Sequence, residues 1–250
     1  MFIEYKTEVK NIQLVRNRKI PLKINSINEV NLFFNYDNNK FFNELFIRCS
    51  FEKPIKNLLE AKALSKPIID NLINLMVYKF GAIIKEPTVH SYKTEEKEIL
   101  ASGSITLYDL PEYELNSNDY SWLTTEMDSQ SLSLKLEKSV PFYRYKKIIS
   151  EEDALSRFLL LYALLYDIKG GQDSVDRYIK SKDPNVEMKP TTRTNKQGVP
   201  VQKDETVYTW WRNQAQHLQT TTDIEDMIGK CRDLVDSLQE LVLDEIKNHI

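Results

Sequence analysis

Short apolar runs punctuated by Asn, Asp and Pro open the chain. Val9–Val15, Lys19–Ile24, Val30–Tyr36 and Leu45–Phe51 are rich in strand formers, with breaks at Asn25-Ser26 and Asp37-Asn38-Asn39. This predicts four strands and a hairpin turn at 37–39. The period then changes. Ile55, Leu58, Leu59, Leu64, Ile68, Ile69, Leu72, Ile73, Met76 and Phe80 recur at three- and four-residue steps, which is helical. Pro67 suits the first turn of a second helix, and Gly81 supplies a stop. Ser102–Leu107 and Leu132–Glu137 read as returning strands. In the latter, Leu132, Leu134 and Leu136 alternate with polar residues.

From Pro141 the pattern is helical. Ser150, followed by three acids, marks a helix start. Phe158, Leu160, Leu161, Tyr162, Leu164 and Leu165 make that helix apolar nearly all round, as expected of a central or interfacial element. Gly170-Gly171 ends it, and Ser174–Lys180 reads as a shorter helix. Asp183–Glu205 holds three prolines and reads as a long polar loop. A helix resumes near Thr206 and breaks at Thr220–Thr222. Thr222 with Glu225 forms a capping-box pattern for a last helix. That helix carries Met227, Cys231, Leu234, Val235, Leu238, Leu241, Val242 and Ile246 on one stripe. The expectation is an α+β fold, with a mostly antiparallel sheet and helices over residues 1–140 and an all-helical bundle over 141–250.

Composition narrows the function. The chain has 250 residues, 41% hydrophobic and 28% charged, with net charge −3. No global positive field marks it as a nucleic-acid binder, so any such contact must be local. The most basic window without acids is Met188–Lys203, with Lys189, Arg193, Lys196 and Lys203. Two distant cysteines form no disulfide framework. No signal-like or membrane-spanning run appears, and a cytoplasmic protein without membrane partners is expected. Three His and two Cys are too few for a zinc site, so no metal is expected. There is no Walker loop, Gly-x-Ser-x-Gly or Gly-x-Gly-x-x-Gly, which removes the common NTPase, hydrolase and dinucleotide chemistries. No cofactor is expected.

What remains is Arg212-Asn213-x-x-x-His217. Histidine titrates near neutrality and suits proton transfer from a ribose 2′-hydroxyl. Arginine stays charged and grips phosphate with two donors. Asn213 is suited to orient either one. Tyr208 is a candidate phosphate donor, while Trp210 and Trp211 fit a core role better than base stacking. Nine Arg and three His make one such spacing by chance about 0.1 times, so the motif needs context. Residues five apart on a helix lie about 140° round it, so Arg212 and His217 converge only if the helix ends near His217 or two copies meet.

The order of elements over Ser150–Ile250 is that context. The helix SRFLLLYALLYDI, a Gly-Gly stop, a short helix ending in VDRYI, a polar segment, WWRNQAQH and a long amphipathic helix together resemble the HEPN superfamily, closest to its Apea-like and MauJ-like branch. The resemblance implies a helical bundle with an Arg-x4–6-His motif, matched here by Arg212, Asn213 and His217. It also implies a metal-independent endoribonuclease of toxin or antiphage type, acting as a homodimer with a composite cleft. RNA would then be the substrate; the residues themselves, rather than the resemblance, suggest Lys189, Arg193, Lys196, Lys203 and Tyr208 as further contacts to it. The N-terminal part resembles a sensor or adaptor that would take a regulatory protein or ligand. A non-catalytic dimerisation module is the alternative expectation, supported by the acidic balance.

Overall fold

The computed structural model describes residues 1–12, 18–24, 26–37, 40–99, 115–194, 198–216 and 224–250, with side chains except at 23, 34–37, 40–43, 193 and 194. The fold is α+β: an N-terminal antiparallel sheet followed by a mostly helical C-terminal region. The chain divides into two compact units, Met1–Lys138 and Ser139–Ile250.

The first unit opens with strands β1 (Phe2–Lys10), β2 (Arg18–Ile24), β3 (Ile27–Asp37) and β4 (Lys40–Phe51). After helix α1 (Leu58–Phe80) come β5 (Ile83–Ile84), β6 (Thr88–Lys93) and β7 (Glu98–Ile99), then helices α2 (Ser117–Ser129) and α3 (Ser131–Lys138). Among the described residues the sheet runs β2-β3-β4-β1-β6-β7, with β5 also on β1. Every pairing is antiparallel, and β3 meets β4 with Tyr36 opposite Phe41 and Asp37 opposite Lys40. Residues 38 and 39 of the expected turn lie outside the described residues, as does the expected strand at 102–107. The first strand begins earlier than Val9, and Asn11 at φ 70° follows its end. Phe33 stacks on Phe46 at 5.1 Å, and Phe46 and Phe51 are buried in the sheet's core.

Two expectations fail here. Helix α1 is continuous through Pro67 rather than split at it. The carbonyl that Pro67 leaves without a partner is that of Ala63, and both residues are exposed, so water can satisfy it. The segment at 132–137 is helix α3, not a strand. Leu134 is exposed while Ser133 and Leu136 are buried, a three-residue step that places one helical face inward.

The second unit contains α4 (Val140–Ile148), α5 (Ala154–Lys169), α6 (Gln172–Lys182), a hairpin of β8 (Met188–Thr194) and β9 (Pro200–Thr206), α7 (Val207–Gln216) and α8 (Ile224–Lys247). It is therefore not all-helical, because the expected polar loop folds into the hairpin. Ser150 does not cap α5. Asp153 does, accepting from the Ser156 amide at 2.7 Å, while the Ser150 hydroxyl donates back to the Lys146 carbonyl. Gly170 ends α5 in the left-handed conformation at φ 75°. Helix α5 is central: Phe158, Leu161, Tyr162 and Leu165 are buried, and α4, α6, α7 and α8 all pack on it. Its outer face still shows Leu160 and Tyr166. Helix α8 buries Met227, Cys231, Val235, Leu238, Val242 and Ile246, one stripe at three- and four-residue steps. Ion pairs Lys182–Asp244 and Lys169–Glu245 tie α6 and α5 to its last turns. No described helix is long and apolar enough to cross a membrane.

Candidate functional site

The site grows from the junction of α5, α6, β9 and α7. Strand β9 runs directly into α7, so Glu205 and Thr206 end the strand while Thr209 lies in the first turn of the helix and Arg212 and Asn213 one turn on. Arg212 lies with its guanidinium carbon 5.4 Å from the ring centroid of Tyr162 and 6.0 Å from that of Tyr166. These two tyrosines are one turn apart on α5 and form a platform whose π faces attract the cation. Arg212 Nη1 donates to Asn213 Oδ1 at 2.9 Å. Asn213 Nδ2 in turn donates to Glu205 Oε2 at 2.9 Å, and Gln172 Nε2 donates to Glu205 Oε1 at 3.2 Å. Glu205 is 1% exposed, so this carboxylate is held inside the unit by side-chain amides.

Under the platform lies a second polar cluster. Asp176 Oδ1 accepts from the Thr206 amide (3.1 Å), the Thr206 hydroxyl (2.7 Å) and the Thr209 hydroxyl (2.6 Å). The Tyr162 hydroxyl is 2.8 Å from Thr209 Oγ1. Burial pushes the Tyr162 phenol up to about 12, so it stays protonated near neutrality. Thr206, Thr209 and Tyr162 are fully enclosed.

Of the residues singled out in the sequence, Arg212 and Asn213 meet directly. Asn213 is spent on orienting Arg212, since its amide bonds Arg212 on one side and Glu205 on the other. His217 lies outside the described residues, as do Lys196, the Thr220–Thr222 break and the Thr222 cap. The Arg193 side chain is not described, though its backbone pairs with Val201 in the hairpin. Tyr208 points elsewhere: its hydroxyl is 2.8 Å from Ser237 Oγ on α8, and Ser237 donates to the Leu234 carbonyl, which leaves Tyr208 as donor. Lys189 pairs with Glu187 at 2.5 Å and lies 5.9 Å from the Trp210 ring; Lys203 pairs with Asp173. The hairpin register places both lysines on the face that carries Glu205. Trp210 packs edge-on against Trp211 at 4.5 Å. His249 bonds Glu245, and His90 packs edge-on against Phe46. Among the described residues no group of three or more His, Cys, Asp and Glu is placed to hold a metal ion.

Sequence reasoning missed Tyr162, Tyr166, Gln172, Asp176, Glu205, Thr206 and Thr209. The spacing of Tyr162 and Tyr166 was a usable signal, since aromatics four apart share a helix face. Asp176 was also marked, as an acid between Val175 and Tyr178 on a face that buries both. Compared with known proteins, the chain matches no family model, no curated protein and no solved structure.

Proposed function

We propose that this chain is a metal-independent endoribonuclease, cleaving RNA by attack of the ribose 2′-hydroxyl to leave a 2′,3′-cyclic phosphate and a 5′-hydroxyl. The observation that carries this reading is the seating of Arg212. A permanently charged group with five N–H donors is laid on two rings and held at one edge by Asn213, which leaves a pair of donors for an anion. Such an oriented cation stabilises charge developing on a phosphate without reorganising at the moment of reaction. His217, five residues on, supplies the proton transfer, and Asn213 acts as a positioning residue on Arg212. The hairpin's lysines, Lys189 and Lys203, and the neighbouring Arg193 and Lys196 would meet the rest of the RNA. On this reading the protein works in the cytoplasm as a homodimer, in a toxin or antiphage role. The N-terminal unit answers to a regulatory protein or ligand.

The in-house ion pairs of Lys189 and Lys203 favour a second reading, in which the helical unit is a non-catalytic interaction module. One substrate separates the two. An oligoribonucleotide should be cut by the protein, whereas its fully 2′-O-methylated copy should stay intact, because the methyl group blocks the nucleophile. Equal cutting of both strands rejects the 2′-hydroxyl mechanism, and intact strands in both tubes with no binding favour the module.

A further inference from the structure

We propose that Asp176 is a positioning residue for Arg212, acting through Thr209 and Tyr162. The direction of the relay follows from counting protons. Asp176 Oδ1 takes the Thr209 hydroxyl proton at 2.6 Å. A hydroxyl has one proton, so Thr209 Oγ1 meets Tyr162 with a lone pair, and Tyr162 must be the donor across 2.8 Å. The phenol is thereby tied at its far end, and the ring that carries the Arg212 guanidinium at 5.4 Å cannot swing without breaking that bond. Asn213 with Glu205 fixes the same guanidinium at a second point. One anchor would leave the plane free to rotate; two set it.

The arrangement is poorly explained by stability alone. Three donors converge on one oxygen of Asp176 while its other oxygen, Oδ2, is buried with no hydrogen-bond partner. A buried carboxylate with an unmet oxygen carries a desolvation cost that the three donors on its other oxygen only partly offset. Departures from such rules concentrate where a site needs a group held in place. The residues of the relay come from α5, α6, β9 and α7, so Asp176 sets the platform from a helix that carries none of the sequence motif.

This inference rests on the reading of Arg212 as the phosphate-binding group, and the experiment keeps the two apart. In the full-length protein, Thr209→Val removes the hydroxyl at constant shape and Thr209→Ser keeps it. The Arg212 side-chain Nε–Hε resonance, identified by its loss in Arg212→Lys, reports the seating directly. Titration with inorganic phosphate reports the binding. Thr209→Val should move the Arg212 resonance toward those of exposed arginines and weaken phosphate binding about tenfold, the loss of one charge-assisted contact. Thr209→Ser should restore both. Should Thr209→Val not fold, Tyr162→Phe, which removes only the phenol oxygen, should give the same displacement. An unmoved Arg212 resonance in Thr209→Val or Tyr162→Phe overturns the relay. So does a loss in Thr209→Ser as large as in Thr209→Val, since it would assign the effect to packing. Failure of the parent to cut RNA while the Arg212 resonance responds as described would reject the nuclease reading and leave the relay standing.

Discussion

Replacing Asp176 by Ala removes the acceptor for three donors at once. In the native unit these are the Thr206 amide at 3.1 Å, the Thr206 hydroxyl at 2.7 Å and the Thr209 hydroxyl at 2.6 Å. The two hydroxyl oxygens are 3.3 Å apart, so in the variant one can donate to the other. One amide and one hydroxyl then remain buried without a partner. At roughly 1–3 kcal/mol for each unmet donor the loss is about 2–6 kcal/mol, and relief of the unpartnered Oδ2, about 1–3 kcal/mol on the same scale, brings it to about 1–3 kcal/mol. With a urea slope of about 2 kcal/mol/M, the unfolding midpoint of the C-terminal unit should fall by about 0.5–1.5 M. Trp210 and Trp211 report that unit by fluorescence if Trp122 is first changed to Phe. Asp176→Asn, which keeps an acceptor, should fall between parent and Ala. A midpoint within about 0.3 M of the parent for Asp176→Ala, at unchanged slope, would refute the claim that this carboxylate holds the junction together.

Other outcomes follow from the same structure. Leu238→Ala, at the fully buried centre of the α8 stripe, should cost about 2–5 kcal/mol in the same urea assay, whereas exposed Leu160→Ala should cost under about 1 kcal/mol. Burial holds the Cys49 thiol at about 12 and Cys231 at about 11, so neither should react with a thiol reagent near pH 8 until the protein is unfolded; fast labelling of native protein would contradict their burial. Asp244 is held below its ordinary 3.8, first by its bond from Lys182 and against the opposing effect of burial. Its contribution is therefore full above pH 3.8 and lost as pH falls below it, so the stability gap between parent and Asp244→Asn should close on acidification. A gap of constant size from pH 7 to pH 3 would argue against that pairing.

The sequence carried the long elements well and the short ones poorly, for reasons that particular residues show. Helix α8 and the centre of α5 were legible because their apolar stripes extend over many turns. Helix α3 was not, because Leu132, Leu134 and Leu136 satisfy a two-residue period and Leu132 with Leu136 also satisfies a four-residue one. The β8–β9 hairpin was hidden by Pro190 and Pro200, which argue against strands inside a large sheet but are tolerated in a two-stranded ribbon with open outer edges. Little of its patterning is apolar; Glu205 and Thr206, buried at its base, anchor it instead. At the candidate site, Arg212 and Asn213 stood out as adjacent residues suited to phosphate chemistry. Their supports did not. Glu205, Asp176 and Thr209 reach Arg212 through strand, helix and side-chain contacts that spacing along the chain does not record.

The most direct test of the nuclease reading is incubation of the pure protein with a mixed RNA pool in EDTA, beside Arg212→Ala and His217→Ala. The account predicts cleavage by the parent with 2′,3′-cyclic phosphate ends and a fall of at least roughly 10²-fold in both variants. Parent-level cleavage by either variant, or strict dependence on an added metal, would contradict it.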